Sequence, residues 1–162
     1  MNEYEKYNCL RLDITLLDRT YTYEDMKELM TEPFHSNYPT KVGFEWYPAA
    51  VGSDFISIGL VFNVALAGIA TTLLSLITTD LYNWAKTSLK KVLHNRNSFE
   101  ESRVNINFID TNITIYTFSE DEIIKIVSNI DNIIGYIKEN NFNDKDYDFF
   151  YSEIVDKCKE FK

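Results

Sequence analysis

The chain contains one stretch of 25 residues without a charge, Phe55–Thr79, which lies between Asp54 and Asp80. Its sequence, FISIGLVFNVALAGIATTLLSLITT, is mostly apolar. About 20 apolar residues in a helix are enough to cross a bilayer. The chain therefore either spans a membrane here or buries this stretch inside a folded domain, and no other feature limits its fold as strongly.

Short segments in which apolar and polar residues alternate lie on both sides of the charge-free stretch. Residues 9–17 and 41–46 alternate in this way, and a period of two predicts strands. A short helix that ends at Pro33 is expected between them, so residues 8–46 are predicted to form a β-α-β unit. Residues 103–118 alternate on both sides of a turn at 110–112, which predicts a β-hairpin.

No proline interrupts the chain between residues 54 and 95, and this range is predicted to form one long apolar helix. Residues 119–161 are predicted to form a pair of amphipathic helices, the first of which begins with a capping box of Ser119 and Glu122. The expected fold is one α+β domain over residues 1–162. It has a small mixed or antiparallel sheet of about four strands, packed on the long apolar central helix, with two C-terminal amphipathic helices.

The strand pairs before and after the apolar stretch favour a water-soluble domain over a membrane-spanning chain. Two strands alone are marginally stable in water, and a joint sheet requires both pairs to lie on the same side of any membrane. The chain has only two cysteines, far apart, and its N-terminus lacks the pattern of a signal peptide, so a cytoplasmic location is expected. A single-pass protein of the inner membrane, spanning at 55–79, remains the alternative.

Charge and motifs argue against several classes of function. The net charge of −9 disfavours direct binding to nucleic acid, because Lys and Arg supply most of that affinity. His35 and His94 have no cysteine or paired acid at the spacing of metal ligands, and no nucleophile or phosphate-loop motif is present. We therefore expect no enzymatic activity, no metal and no cofactor.

A helix that is apolar on all sides must be buried on all sides. If a sheet covers one side of the long helix, the uncovered side predicts a protein partner or a homo-oligomer. Small residues in the middle of the helix would let another backbone approach closely. The candidate interaction residues are Leu66, Ala67, Gly68, Ala70 and Trp84.

Four segments together resemble the effector-associated constant component family of bacterial conflict systems. They are LRLDITLL, MKELMTEP, VGSDFISIGLVFNVALAGIATTLLSLITTDLYNWAKTSLKK and VNINFIDTNITIYTF. The resemblance is one of pattern and covers roughly residues 9–137. This chain is rich in Asn and Ile where such domains are rich in Ala and Arg, and its last helix lies outside the pattern. The resemblance implies a non-enzymatic partner of a defence effector, with no catalytic residues to carry over.

The leading hypothesis is a non-enzymatic protein–protein interaction module, an accessory component of a bacterial or mobile-element defence system. One alternative is a single-pass membrane protein that acts as the anchor or pore element of a toxin or defence system. Another is an acidic anti-defence inhibitor, whose negative charge would suit the basic groove of a nucleic-acid-binding protein.

Overall fold

The computed structural model describes residues 10–18, 40–48, 55–90, 102–140, 146–158 and 161–162. Its strands are β1 (Leu10–Asp18), β2 (Thr40–Pro48), β3 (Phe55–Phe62), β4 (Ser102–Asn107), β5 (Asn112–Thr117) and β6 (Asp146–Phe150). Its α-helices are α1 (Thr71–Trp84), α2 (Glu120–Val127), α3 (Ile130–Asn140) and α4 (Tyr151–Lys157). A 3-10 turn at Leu66–Gly68 precedes α1, and a π-helical turn at Ala85–Leu89 follows it.

The strands form one mixed sheet of six strands in the order β2-β1-β3-β4-β5-β6. Neighbours β1 and β2, β3 and β4, and β5 and β6 are parallel, whereas β3 is antiparallel to β1 and β4 is antiparallel to β5. The α+β class and the mixed sheet agree with the prediction, but the sheet has six strands rather than about four, because residues predicted to be helical form β3 and β6. The early strands and the late hairpin do lie in one sheet, and β3 joins them.

One face of the sheet is apolar and is covered by the helices. The register aligns Leu12 with Leu60, Ile106 and Ile113 across four strands, and all four side chains are fully buried. They belong to one core cluster that also contains buried residues of all four helices. The helices contact one another as well, since α1 packs against both α2 and α3. Each large apolar side chain buried here contributes about 1.5–3 kcal/mol.

The opposite face of the sheet, which we call the polar face, carries half-buried and exposed side chains. Its central row aligns Asp13, Gly59, Asn105, Thr114 and Asp148. The Thr114 hydroxyl donates to Asn105 Oδ1 at 3.1 Å, so hydrogen bonds between strands satisfy part of this face. The two faces follow from the alternation in the sequence, because successive side chains of a strand point to opposite sides.

The prediction of one long helix over residues 54–95 is wrong for its first part. Residues 55–62 form the strand β3, and helix α1 begins only at Thr71. In β3 the buried side chains alternate with half-buried ones, as on a strand with one covered face. The buried ones are Ile56, Ile58, Leu60 and Phe62. Short apolar segments are ambiguous between strand and helix, and here the β-branched and aromatic residues favour the strand.

The predicted helical pair over residues 119–161 also needs correction. Helix α2 ends at Val127, α3 begins at Ile130, and the strand β6 precedes the short helix α4. The expected cap of α2 is confirmed in part, since Ser119 Oγ accepts from Glu122 N at 3.2 Å. The Glu122 carboxylate accepts from Phe118 N rather than from Ser119 N, one residue earlier than in a capping box.

The remaining local predictions agree with the structure or lie outside it. The hairpin expected over residues 103–118 is formed by β4 and β5, and the first two strands occupy 10–18 and 40–48. The helix expected between those two strands falls on residues 19–39, outside the described residues. None of the helices in the described ranges is long and apolar enough to cross a membrane.

Candidate interaction surface

The second half of the charge-free stretch presents most of its polar and small side chains on the outside of the fold. After β3 the chain leaves the sheet, makes the 3-10 turn and enters α1, whose inner stripe of Leu73, Leu74 and Ile77 is buried. The outward side chains are exposed and uncharged. We call this the neutral surface, and it consists of Ala65, Ala67, Gly68, Ala70, Thr71, Thr72, Ser75, Leu76 and Thr79, together with Ile109 of the β4–β5 turn.

Two large apolar side chains project from the neutral surface. The exposed fraction of Leu76 is 50% and that of Ile109 is 70%. Ile109 lies beside the loop of residues 63–70, because its N–H donates to the Val64 carbonyl at 2.9 Å. The other side chains of the surface are small or carry hydroxyl groups. The surface therefore has two large apolar side chains but no large contiguous apolar patch.

Three contacts from other parts of the chain hold the loop of residues 63–70. Besides the Ile109–Val64 bond, Leu66 N donates to Asp110 Oδ1 at 2.9 Å, and Lys138 Nζ of helix α3 donates to the Ile69 carbonyl at 3.1 Å. The Ile69 side chain is itself buried. These contacts tie the loop to the β4–β5 turn and to helix α3.

The same contacts involve two charged side chains beside the neutral surface, those of Asp110 and Lys138. The Asp110 carboxylate accepts from the Leu66 backbone and from the Thr111 hydroxyl at 3.3 Å, and the Lys138 ammonium binds a loop carbonyl. Asp80, which directly follows Thr79 at the other end of the surface, is half-buried. The neutral surface thus lies beside three charged side chains but includes none of them, although the net charge of the chain is −9.

The structure brings four of the five predicted interaction residues together and separates the fifth. Ala67, Gly68 and Ala70 are exposed on the neutral surface, and Leu66 beside them is half-buried and packs against the core. Trp84 is buried at the other end of α1, roughly 20 Å away at 1.5 Å per residue, where it contributes to the core. A Cβ added to Gly68 would meet no heavy atom within 4 Å, so no described part of the chain packs closely against it.

Leu76 and Ile109 are the surface residues that sequence reasoning missed. Leu76 lies off the stripe of Leu73, Leu74, Ile77 and Leu81, and a helix drawn from Thr71 would have shown this. Ile109 follows the alternating residues of β4 and precedes the turn predicted at 110–112, so it had no place in either strand. In both cases the signal is an apolar residue outside the periodicity of its own element.

Within the described ranges, no group of three or more His, Cys, Asp and Glu side chains could hold a metal ion. No protein-family model matches the chain, and neither the curated proteins nor the solved structures give a significant match.

Proposed function

We propose that this chain is a non-enzymatic protein-binding module, and that a partner protein docks on the neutral surface. The partner would present an uncharged and mostly apolar patch of its own. The observation that carries the proposal is that every exposed side chain between Ala65 and Thr79 is uncharged, in a chain of net charge −9. Charged residues are depleted at the centres of protein interfaces, because a buried charge loses its hydration and needs a partner of opposite charge to offset that cost.

The contacts that hold the loop support the same function. Loops that become ordered on binding reduce affinity, since the lost conformational entropy opposes association. Here the loop is already held by Asp110, Lys138 and the buried Ile69. A partner would therefore meet a prepared surface.

The side chains of the surface suit close contact with a partner. Ala67, Gly68 and Ala70 leave room for another backbone to approach. Leu76 and Ile109 are the side chains that a partner could enclose in pockets, as the anchors of interfaces usually are. The Thr79 hydroxyl already donates to the Ser75 carbonyl at 3.0 Å, so burying it against a partner would not leave its donor unpaired.

The resemblance to the constant components of conflict systems indicates which class of protein the partner would belong to. It makes the partner an effector protein of a bacterial defence system, with this chain as the accessory subunit. The absence of catalytic motifs in the sequence is compatible with such a role.

A charge placed on the neutral surface tests the proposal. Leu76→Asp should leave the chain folded, because Leu76 is half exposed, but it should abolish partner binding by forcing an unpaired carboxylate into the interface. Val155→Asp is the matched control, since Val155 is an exposed apolar residue of helix α4 that is not part of the neutral surface. The wild-type protein and both variants are immobilised, and the proteins that each retains from a lysate of the native host are identified. Each candidate is then purified and titrated separately against the wild-type protein and each variant.

A purified protein that binds wild type and Val155→Asp, but binds Leu76→Asp at least tenfold more weakly, supports the proposal. Sedimentation of the chain alone shows whether a second copy occupies the surface, in which case Leu76→Asp dissociates the oligomer. If every purified partner binds Leu76→Asp as tightly as wild type, and the oligomeric state is unchanged, the neutral surface is not the docking site.

A further inference from the structure

The strand β6 lies at one end of the strand order, on the opposite side of β5 from β4. Among the described strands it pairs only with β5. An edge strand presents backbone N–H and C=O groups that its single neighbour does not use, and an extended segment of another protein can pair with them as an added strand.

The side chains of β6 alternate in chemistry as well as in burial. Asp146, Asp148 and Phe150 lie on the polar face and are exposed, whereas Phe149 is buried on the covered face. The side chains of Asp146 and Phe150 each contact a side chain of β5. Asn112 Nδ2 donates to Asp146 Oδ1 at 2.9 Å, and the rings of Tyr116 and Phe150 are 5.8 Å apart.

The edge is short and has a defined end. Phe150 N donates to the Glu153 carboxylate at 3.1 Å, and helix α4 begins at the next residue. An added strand could therefore pair along about five residues. It would place its own alternate side chains beside Asp146, Asp148 and Phe150, since facing residues on paired strands have Cβ atoms about 4.5–5.5 Å apart.

We propose that the β6 edge binds an extended basic segment of a partner protein, with Lys or Arg at alternate positions and an apolar residue beside Phe150. The basic side chains of the segment would lie beside the carboxylates of Asp146 and Asp148. The net charge of −9 would also attract a basic segment from a distance. The same pattern of acids would arise if they only prevented edge-to-edge aggregation. The two roles differ in whether an added strand binds in register.

The probe is a blocked peptide of sequence Lys-Thr-Lys-Thr-Phe, titrated at low ionic strength and followed by the backbone amide shifts of residues 146–150. The control peptide, Lys-Lys-Thr-Thr-Phe, has the same composition and charge but lacks the alternation. The alternating peptide should bind about tenfold more tightly, because it alone places both lysines on the acidic side. Equal affinity for the two peptides, or unchanged shifts at millimolar peptide, would overturn the proposal.

Protein variants separate the two acids from the net charge. Asp146→Lys with Asp148→Lys should lose the lysine peptide and bind Glu-Thr-Glu-Thr-Phe instead. Glu139→Lys with Asp156→Lys makes the same change in net charge at exposed positions on α3 and α4, and it should keep the lysine peptide. If both double variants lose binding equally, the interaction is a general electrostatic one and the proposal fails.

Backbone pairing is tested on the wild-type protein with two N-methylated peptides. One is methylated at the amides of its odd residues and the other at those of its even residues, so only one of them blocks the N–H groups that face β6. One peptide should lose binding and the other should retain it. If both bind like the parent peptide, no strand is added to the edge.

Discussion

At the scale of single residues, Thr78 shows how one hydroxyl joins two helices. It is buried on α1, donates to the Leu74 carbonyl at 2.7 Å, and accepts from the backbone N–H of Asp131 at 3.1 Å. Asp131 lies in the first turn of α3, whose N–H groups have no partners within the helix. A side chain from α1 thus performs the capping that usually comes from the residue before the helix.

Replacing Thr78 by Val should lower the free energy of unfolding by about 1–2 kcal/mol, because the half-buried N–H of Asp131 then loses its acceptor. Thr78→Ser keeps the hydroxyl and should recover most of this loss. Thr79→Val is the matched control. Its hydroxyl also bonds the carbonyl four residues earlier but is exposed, so the change should cost no more than about 0.5 kcal/mol. Urea denaturation of the three variants measures these differences.

Asn129, fully buried between α2 and α3, joins that corner to the end of the described chain. Its Oδ1 accepts from Lys162 N at 2.8 Å and from Asn132 Nδ2 at 3.0 Å. Its Nδ2 donates to the Lys125 carbonyl at 2.8 Å and to the Lys162 carbonyl at 3.3 Å. One side-chain amide therefore satisfies backbone groups of two segments that are distant in sequence.

Asn129→Ala should destabilise the fold by about 2–3 kcal/mol, since it removes four hydrogen bonds at a buried site. Asn140→Ala is the comparison, because Asn140 makes the same bond to the carbonyl four residues earlier but is exposed. That variant should unfold within about 0.5 kcal/mol of wild type. Equal costs for the two changes in thermal or urea unfolding would contradict the role given to Asn129.

At the scale of elements, β3 is the segment on which the fold depends. It lies between β1 and β4 and so has partners on both sides. Its buried side chains also meet the helices through the common core. A helix in the same place would have left the early strands and the late hairpin as separate sheets with unpaired edges.

The alternation of β3 makes a direct prediction about neighbouring residues. Leu60→Ala should cost about 2–5 kcal/mol, because it leaves a cavity in the core, whereas Val61→Ala on the polar face should cost about 1 kcal/mol or less. Ile58→Ala should resemble Leu60→Ala. The measurement is the free energy of unfolding in urea, and costs that repeat every three to four residues would indicate a helix instead.

At the scale of the whole molecule, one sheet connects segments from both ends of the sequence. The register runs from β2 through β1 and β3 to the late strands, so the early pair cannot lose its place in the sheet without exposing β3. Small domains with one continuous core usually unfold in a single step.

The two tryptophans can test this connection, because Trp46 lies in β2 and Trp84 is buried in α1. Trp46→Phe leaves the fluorescence of Trp84 as the only tryptophan signal, and Trp84→Phe leaves that of Trp46. In each variant the urea midpoint from fluorescence should coincide with that from far-UV circular dichroism. An earlier fluorescence transition in the Trp84→Phe protein would mean that the early strands unfold separately.

Local chemistry was enough to predict several elements from the residues alone. The alternation in 9–17 and 103–118, and the Ser119 cap of α2, are signals between near neighbours in sequence, and the structure contains all of them. The small residues Ala67, Gly68 and Ala70 were recognised, although as the middle of a buried helix rather than as an exposed loop. Their environment depends on Asp110 and Lys138, which lie far away in the chain.

By itself, then, the amino-acid order determined the class of the fold, the first two strands, the hairpin and the absence of charge from residues 55–79. Only the tertiary structure decided that this segment divides into a strand, a loop and a helix, and which of its side chains face outward. The physical reason is that the periodicity of a short apolar run does not distinguish a helix from a buried strand. Pairing of β3 with β1 and β4, which supplies its hydrogen bonds and covers its apolar side, makes the choice.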